Sequence, residues 1–351
     1  MNDVSRREFL RRMGMAMGGI GAAAMARPVF AEGEVPADDT VPPAPAPTVT
    51  HWFGQPLGRI LLNVMTIYSE PSWKADHVGF FYWNDVVPIL GAVVGEGLYH
   101  TNHTWLQVEG GYIYSSWVQP VISIFNAPAE IPEGMMWSEV TVPISLARSY
   151  PEEDSPVREP VYYSQVQRVS GLENGFYKVE EIYGNTFYLK ADHVRLISPE
   201  EVAPISAEVD PAAKRIEISI GEQVLYAFEG EAVVYTARIS TGMPSTPTSF
   251  GTFNVLDKRH GQRMVGGRTG GGYNLAGIPW VSYFTYSHVA LHGCYWHNDY
   301  GRLHSNGCIN MWPHDVKWIF RWVTPQANYW DFKTLPNEEV GQPGTTVIVR
   351  W

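Results

Sequence analysis

The residues best suited to chemistry lie in one stretch near the C-terminus. His292 and Gly293 are followed by the segment Ser305–Cys308, so the cysteine comes sixteen positions after the histidine. A cysteine attacks as its thiolate, and it needs a neighbouring base such as an imidazole to take the proton. The pattern predicts covalent catalysis, with Cys308 as the candidate nucleophile and His292 as a candidate neighbouring base.

The flanking sequence predicts the elements that position these two side chains. An apolar strand from Tyr283 to Leu291 is expected to end at His292, and Cys308 ends a glycine-containing loop. A helix should follow, with Pro313 in its first turn. Its apolar face is expected to consist of Val316, Ile319, Phe320 and Val323. The thiol would then lie between a base at a strand end and the amides of a helix.

Together these residues resemble the signature of the L,D-transpeptidase catalytic domain, a His-Gly pair followed after a short loop by Ser-His-Gly-Cys. His292 and Gly293 match its first part, and Ser305, Gly307 and Cys308 match its second. The first conserved loop of that domain resembles Ser240-Thr241-Gly242, Pro247-Thr248 and Gly251-Thr252-Phe253. The likeness extends over residues 205–351.

Three further positions bear on the fit to the family pattern. Asn306 stands where the motif histidine is usual, Asn310 where arginine or asparagine is frequent, and Cys294 where threonine or tyrosine is common. An asparagine donates and accepts hydrogen bonds, but it cannot carry a proton at neutral pH. The general base implied by the resemblance is still His292. Because Asn306 stands in place of the motif histidine, a reduced catalytic activity is an alternative expectation.

The resemblance implies acyl transfer on peptidoglycan stem peptides, without a cofactor or a metal. Cys308 would form a thioester with a tetrapeptide stem and release D-alanine. An amine of another stem would then give a cross-link, whereas water would give an L,D-carboxypeptidase. The backbone N–H groups of Gly307 and Cys308 are expected to hold the oxyanion, with Tyr283 as a further donor.

The same resemblance implies roles for the other residues of the expected site. Ser305 and Asn306 are counted with the catalytic loop, whereas Tyr283, Gly293 and Asn310 are expected beside the substrate. A non-catalytic wall-binding protein is the alternative from another functional class. Oligomeric state is not indicated by the sequence.

The same residues are also compatible with other kinds of site. A zinc site is conceivable by composition, but neither Cys-x2-Cys nor His-x3-His spacing supports it. Its ligands would come from His292, Cys294, His297, His304 and Cys308. Cys294 is either a small buried apolar residue or a disulfide partner that would silence Cys308. The glycine run 266–272 lacks the Gly-Lys-Ser/Thr ending of a phosphate-binding loop, and it predicts a mobile flap over a cleft.

The N-terminus has the pattern of a twin-arginine export signal. Arg6 and Arg7 precede the uncharged run Met13–Ala26, and small residues before Glu32 suit cleavage. This run is shorter than a spanning helix, so no lasting membrane span is expected. The prediction is a signal peptide at 1–31, a proline-rich linker at 32–49, and a mature protein in the periplasm, the cell wall or the exterior.

Two stretches after the linker resemble each other at an offset of 80 residues, as Ser69-Glu70-Pro71 and Ser149-Tyr150-Pro151 show. Each contains short aromatic and β-branched strands separated by glycine turns, which is typical of small barrels. They resemble bacterial SH3-like modules, at residues 50–125 and 132–203. Trp73, Trp83 and Tyr163 either fill barrel cores or form a ligand-gripping surface.

Composition and charge limit the remaining classes. The 351 residues carry a net charge of -11, which argues against nucleic acid as a partner, because such binding needs a basic surface. From Ile205 onward the sequence alternates as half-buried strands do, at 215–220, 223–228 and 232–239. The predicted fold is mainly β: two SH3-like barrels followed by a β-rich catalytic domain with one short helix.

Overall fold

The described part of the chain is mainly β, as the sequence predicted. The computed structural model describes residues 56–182, 184–266 and 272–351. The predicted signal peptide and linker lie outside the described residues, as do residues 50–55 and most of the glycine run. No helix of the described residues is long and apolar enough to cross a membrane.

The first segment forms a five-stranded sheet and a three-stranded sheet. The larger sheet has the order β3-β2-β7-β6-β5, and the smaller one the order β4-β1-β8. The strands are β1 (Leu57–Ile60), β2 (Val64–Tyr68), β3 (His77–Tyr82), β4 (Val86–Pro88), β5 (Gly91–Tyr99), β6 (Asn102–Val108), β7 (Gly111–Tyr114) and β8 (Val118–Val121). We call this segment module 1.

The second segment, module 2, forms one seven-stranded sheet with the order β11-β10-β14-β13-β12-β9-β15. Its strands are β9 (Met136–Val140), β10 (Ile144–Arg148), β11 (Val157–Tyr162), β12 (Val166–Glu173), β13 (Phe176–Glu180), β14 (Thr186–Lys190) and β15 (Val194–Ile197). Short 3-10 helices occur at Ser115–Trp117, Pro132–Gly134, Ala191–His193, Glu200–Val202, Pro211–Ala213 and Glu338–Val340.

The two modules share one pattern of strand pairing. In module 1, β1 pairs with β4 and β8, and β2 pairs with β3 and β7. In module 2, β9 pairs with β12 and β15, and β10 pairs with β11 and β14. The long strand β12 takes the places of both β4 and β5, which joins the two sheets into one. This repeated pairing supports an internal duplication, while the SH3-like assignment stays a prediction.

The aromatic residues singled out in the modules have different environments. Trp73 packs among rings, with its centroid 4.8 Å from that of Trp105 and 4.9 Å from that of Tyr114. Trp83 is 51% exposed. Tyr163 is half-buried. Trp73 therefore belongs to a ring cluster, whereas Trp83 presents its indole to the surface.

The C-terminal segment forms a nine-stranded sheet with the order β19-β24-β16-β17-β18-β23-β22-β21-β20. Its strands are β16 (Lys214–Ser219), β17 (Val224–Glu229), β18 (Ala232–Ser240), β19 (Gly251–Asn254), β20 (Asp257–Gly266), β21 (Tyr273–Tyr283), β22 (Ala290–Gly293), β23 (Ile309–Met311) and β24 (Thr346–Arg350). The helix α1 spans Pro313–Trp322, and its buried residues include Val316, Ile319 and Phe320. The predicted strands near 215, 223 and 232 and the predicted helix are confirmed.

One predicted element is wrong. The apolar strand expected from Tyr283 to Leu291 is interrupted, since β21 ends at Tyr283 and β22 begins only at Ala290. Between them the chain turns: the Thr285 hydroxyl accepts the Val289 amide at 2.9 Å, and His288 has a φ of 65°. Side-chain hydrogen bonding by threonine competes with strand pairing, and a positive φ is incompatible with an extended chain.

Module 2 and the C-terminal segment share a hydrophobic core. Trp137, Val166 and Ile197 of module 2 belong to the same buried cluster as Ile216 and Phe320. A Cβ on Gly261 of β20 would lie 2.2 Å from the Val166 carbonyl oxygen of β12, so only glycine allows this approach. The two segments are thus packed as one body.

An ion pair network reinforces this contact. Arg263 of β20 donates to both carboxylate oxygens of Glu181, at 2.9 and 2.8 Å, and also to the carboxylate of Glu159. Both acids belong to module 2, and the Arg263 side chain is 11% exposed. Bidentate pairs fix geometry as well as charge. Module 2 therefore holds the hairpin of β20 and β21.

We predict that Trp137→Ala destabilises the chain by about 3–5 kcal/mol, because it opens a cavity at this shared core. The ring is 1% exposed, and its Nε1 donates to the Tyr329 carbonyl at 2.8 Å. Denaturant unfolding measures the change. Trp351→Ala, at an 80% exposed tryptophan, should shift stability by less than about 0.5 kcal/mol. An equal loss of unfolding free energy in Trp137→Ala and Trp351→Ala would contradict the role of Trp137 in the shared core.

Candidate active site

The parallel strands β22 and β23 place the two predicted catalytic residues on one face of the sheet. In their register His292 lies opposite Asn310, and Leu291 lies opposite Ile309. Opposed residues share a face, and side chains two positions apart along a strand point the same way. Cys308, directly before β23, follows the same alternation, so it belongs with Ala290, His292 and Asn310.

The opposite face of these strands is fully apolar. Leu291, Ile309 and Met311 are 0% exposed and pack in the main core with residues of α1. Burying these side chains against the helix fixes which face looks outward, because a shift of one residue would exchange the two faces. The core therefore sets the side on which the thiol and the imidazole lie.

Cys308 is partly exposed and has a free thiol. Its Sγ lies 3.8 Å from the His288 carbonyl oxygen. Burial raises the pKa of the thiol above its usual value, while a hydrogen bond from the Ala290 backbone acts in the opposite direction. The net shift is upward, so the resting group is the neutral thiol at neutral pH.

His292 is buried, with 3% of its surface exposed. Its Nδ1 lies 3.0 Å from the Gly293 carbonyl oxygen, which can only accept, so Nδ1 carries the proton. Nε2 is then left as the proton acceptor. Burial lowers the pKa of His292 to about 4, against a smaller opposing effect of the Gly293 contact. The imidazole is therefore a neutral base at neutral pH.

The turn before Cys308 is fixed by side-chain hydroxyls. The Ser305 hydroxyl donates to the Cys308 carbonyl and accepts the Gly307 amide at 3.1 Å. Thr248 accepts the Gly242 amide at 2.9 Å and donates to the Gly307 carbonyl at 2.8 Å. Gly307 has a φ of 115°, which favours glycine. The loop before β19 thus holds the turn that carries the cysteine.

A family comparison matches this part of the chain. The model of the YkuD family, described as the L,D-transpeptidase catalytic domain, matches residues 213–349. Residues 213–349 thus match the L,D-transpeptidase catalytic domain. The matched residues begin before β16 and end within β24, so they include Cys308, His292 and both loops that position them.

Solved L,D-transpeptidases are similar to the chain at low identity. The NMR structure of the catalytic domain from the E. faecium L,D-transpeptidase is 24% identical, covering 39% of this chain and 96% of that one, with a TM-score of 0.31. The Mycobacterium smegmatis L,D-transpeptidase is 17% identical, covering 67% and 90%, with a TM-score of 0.32. The Stackebrandtia nassauensis L,D-transpeptidase is 18% identical, covering 44% and 60%, with a TM-score of 0.28. The comparison with curated proteins gives no match.

The other expected residues of the L,D-transpeptidase domain are distributed around this face. Asn310 is buried, and its side-chain amide lies 2.8 Å from His297 Nε2. Tyr283 is buried in a cluster that Cys308 also contacts, and its hydroxyl accepts a hydrogen bond from Gln262 at 3.2 Å. Asn306 is exposed. The Gly307 amide is already engaged by Ser305, which leaves Cys308 N–H as the backbone donor to consider for an oxyanion.

The second cysteine is buried and is not bonded to Cys308. Cys294 is a free thiol, 2% exposed, and its Sγ donates to the His297 carbonyl at 3.7 Å. Burial raises its pKa to about 12. The structure thus has no disulfide between Cys294 and Cys308. Within residues 56–182, 184–266 and 272–351, no three His, Cys, Asp or Glu side chains are arranged to hold a metal ion.

Several residues of the site were not predicted from the sequence. Tyr273 packs against the same buried cluster as Cys308, and burial, followed by the charge of an ionised Cys308, raises its pKa. Trp296 lies with its ring 5.8 Å from that of His292. His288 turns its carbonyl toward Cys308. In the sequence, Tyr273 is marked only by its place directly after the glycine run. No pattern in the sequence indicates the strained backbone at His288.

We predict that alkylation of Cys308 by iodoacetamide rises about tenfold per pH unit between pH 6 and 8, because only the thiolate reacts and its pKa is raised. Mass spectrometry after timed quenching measures the rate. Cys294 should stay unmodified in the folded chain, so Cys308→Ala should abolish labelling. A rate that is already constant with pH near neutrality would instead show a preformed thiolate.

We further predict that Thr248→Val lowers the unfolding free energy by about 2 kcal/mol, since it leaves the Gly242 amide and the Gly307 carbonyl without their buried partner. Denaturant unfolding provides the measurement. The matched control is Thr252→Val, at an exposed threonine of β19, which should stay within about 0.5 kcal/mol of the parent. A stable Thr248→Val would contradict the role given to this hydroxyl.

Proposed function

We propose that the chain is an exported L,D-transpeptidase that acts on peptidoglycan stem peptides. The observation that carries the proposal is the parallel pairing of β22, which holds His292, with β23, which begins directly after Cys308, inside the segment that matches the catalytic-domain model. A thiol and a neutral imidazole that meet at a substrate can form and resolve an acyl intermediate without a metal or a cofactor.

In the first half-reaction the Cys308 sulfur attacks the carbonyl carbon of the third stem residue, and its proton passes to His292 Nε2. The oxyanion is held by the Cys308 N–H, with the Tyr283 hydroxyl as a further donor. Collapse breaks the bond to the terminal D-alanine, whose amine leaves with the proton from His292. The product is a thioester on Cys308.

In the second half-reaction an amine of another stem attacks the thioester carbonyl. His292 takes the proton of the attacking amine and returns it to the departing sulfur, so the thiol is restored and an amide bond is made. Water in place of the amine gives the L,D-carboxypeptidase reaction. Asn306 cannot take part in these proton transfers at neutral pH.

Export would bring the protein to its substrate, because peptidoglycan lies outside the cytoplasm. The twin-arginine pattern at Arg6 and Arg7 is the sequence basis of this part of the proposal. Modules 1 and 2 would then act as spacing or wall-binding elements next to the catalytic domain. The described residues contain no helix suited to a membrane span.

The test is incubation of the full chain with a disaccharide-tetrapeptide, followed by mass spectrometry. We expect D-alanine release together with a cross-linked dimer. A carbapenem should give one covalent adduct, which Cys308→Ala abolishes. His292→Ala should slow turnover by about 10²–10⁴-fold, the usual contribution of a general base.

Cys294→Ala is the matched control, because it removes the other thiol, and it should keep both adduct and turnover. A trimmed monomer without dimer would assign the chain to the carboxypeptidases. Unchanged substrate and no adduct would favour a non-catalytic wall-binding protein. Turnover that persists in Cys308→Ala would contradict the mechanism.

A further inference from the structure

A second buried histidine, His297, contacts the catalytic face and has no part in the mechanism above. It lies in the loop that follows β22 and is 4% exposed. Its Nε2 lies 2.8 Å from the side-chain amide of Asn310, which is 2% exposed and pairs with His292 in the register of β22 and β23. Buried polar groups are nearly always hydrogen-bonded, so the protons of this pair can be placed from their partners.

The proton of the His297 ring belongs on Nε2. The Asp299 backbone N–H donates to Nδ1 at 3.2 Å, and a ring nitrogen that accepts a hydrogen bond carries no proton. Burial, followed by the charges that His304 and His292 would carry, holds the pKa of His297 well below its usual value. The ring is therefore neutral at neutral pH, and its single N–H is at Nε2.

This proton decides which end of the Asn310 amide faces His297. An Nε2–H can only donate, and so can an amide NH2 group, so the atom that accepts from Nε2 has to be the amide oxygen. The 2.8 Å separates Nε2 from the position of the amide nitrogen, and a half-turn of the amide exchanges nitrogen and oxygen without moving any other atom. The NH2 end of Asn310 then points away from His297, and among the described residues this amide has no second hydrogen-bond partner.

The residues around His297 hold its ring in the orientation that this tautomer requires. The Ser240 hydroxyl donates to the Asp299 carbonyl at 3.0 Å, and Arg302 donates to the Asp299 carboxylate at 2.6 Å. The ring of His304 stacks on that of His297, with centroids 3.9 Å apart. The tautomer of His297 is thus set by contacts outside the catalytic pair.

We propose that His297 is a positioning residue of the reaction: its Nε2–H binds the Asn310 oxygen, so that the Asn310 NH2 group faces the peptide bound at Cys308 and donates to one of its carbonyl oxygens. The inference rests on the proposed function. Without the Nε2–H, the amide is free to turn and present its oxygen, which cannot donate to a carbonyl. His297 acts through Asn310 and does not itself touch the substrate.

The first test is ¹⁵N NMR of the histidine rings of the full chain at pH 7, with His297 assigned by His297→Gln. We expect a neutral ring that is protonated on Nε2 and unprotonated on Nδ1, which is the opposite tautomer to that of His292. A proton on Nδ1 would overturn the proposal. This measurement needs no turnover, so its outcome is independent of the proposed function.

The second test is kcat/KM for D-alanine release from the disaccharide-tetrapeptide. His297→Phe keeps a ring but has no N–H, and it should lower kcat/KM about tenfold, which corresponds to the loss of one hydrogen bond to the substrate. His297→Gln offers an amide N–H to the Asn310 oxygen and should stay within about threefold of the parent. Parent-like release by His297→Phe would overturn the proposal.

A double-mutant cycle separates positioning from a structural role. If His297 acts through Asn310, the variant with both His297→Phe and Asn310→Ala should have the same kcat/KM as Asn310→Ala alone. Losses that multiply would refute the proposal. The matched control is His314→Phe, at a histidine of the same domain whose side chain is 71% exposed, and it should release D-alanine as the parent does.

Carbapenem acylation of the parent chain is measured in parallel. Normal acylation together with multiplied losses refutes the positioning role alone. Absence of both acylation and D-alanine release refutes the proposed function, whatever the tautomer of His297. If His297→Phe does not fold, the tautomer in the parent chain and the activity of His297→Gln decide the proposal.

Discussion

The parallel pairing of two short strands, β22 and β23, is the constraint on which the rest of the site depends. It places His292 opposite Asn310 and puts Cys308 on the same face. Leu291 and Ile309 anchor the other face in the core, so the register cannot slip without burying polar groups. Through this pairing the sheet places on one face two residues that are sixteen positions apart.

Burial gives this pair a particular electrostatic state. It raises the pKa of the Cys308 thiol and lowers that of the His292 imidazole, so both groups are neutral at rest. In the proposed reaction, the thiol would lose its proton to Nε2 of His292 as the sulfur attacks the substrate and the oxyanion develops. The fixed Nδ1–H contact with Gly293 keeps the acceptor nitrogen available for that step.

Modules 1 and 2 both pack against the C-terminal segment and help to position its strands. Module 2 shares the main core and holds the β20–β21 hairpin through Arg263, and this hairpin carries Tyr273, which packs against the same cluster as Cys308. Module 1 reaches the same region through Arg59, which donates to the Tyr295 carbonyl. The walls of the cleft therefore depend on contacts far apart in sequence.

The sequence predicted what depends on local pattern. Alternation identified the strands beginning at Lys214, Val224 and Ala232, and the apolar spacing after Pro313 identified the helix. The strand expected from Tyr283 to Leu291 failed, because a threonine hydroxyl and a positive φ at His288 introduce a turn that apolar content does not reveal.

Tertiary contacts account for what could not be predicted. The clamp of Thr248 on Gly307 joins residues of two loops, and the place of Arg59 depends on packing between modules. The motif that carries Cys308 and His292 was visible in the sequence, and the assignment of their roles stays a prediction.

The most direct test of the account is ¹⁵N NMR of the histidine rings of the full chain between pH 6 and 8, with His292 assigned by substitution. The account predicts a neutral His292 ring, protonated on Nδ1 and unprotonated on Nε2, throughout this range. An imidazolium with both nitrogens protonated, or the opposite tautomer, would contradict it.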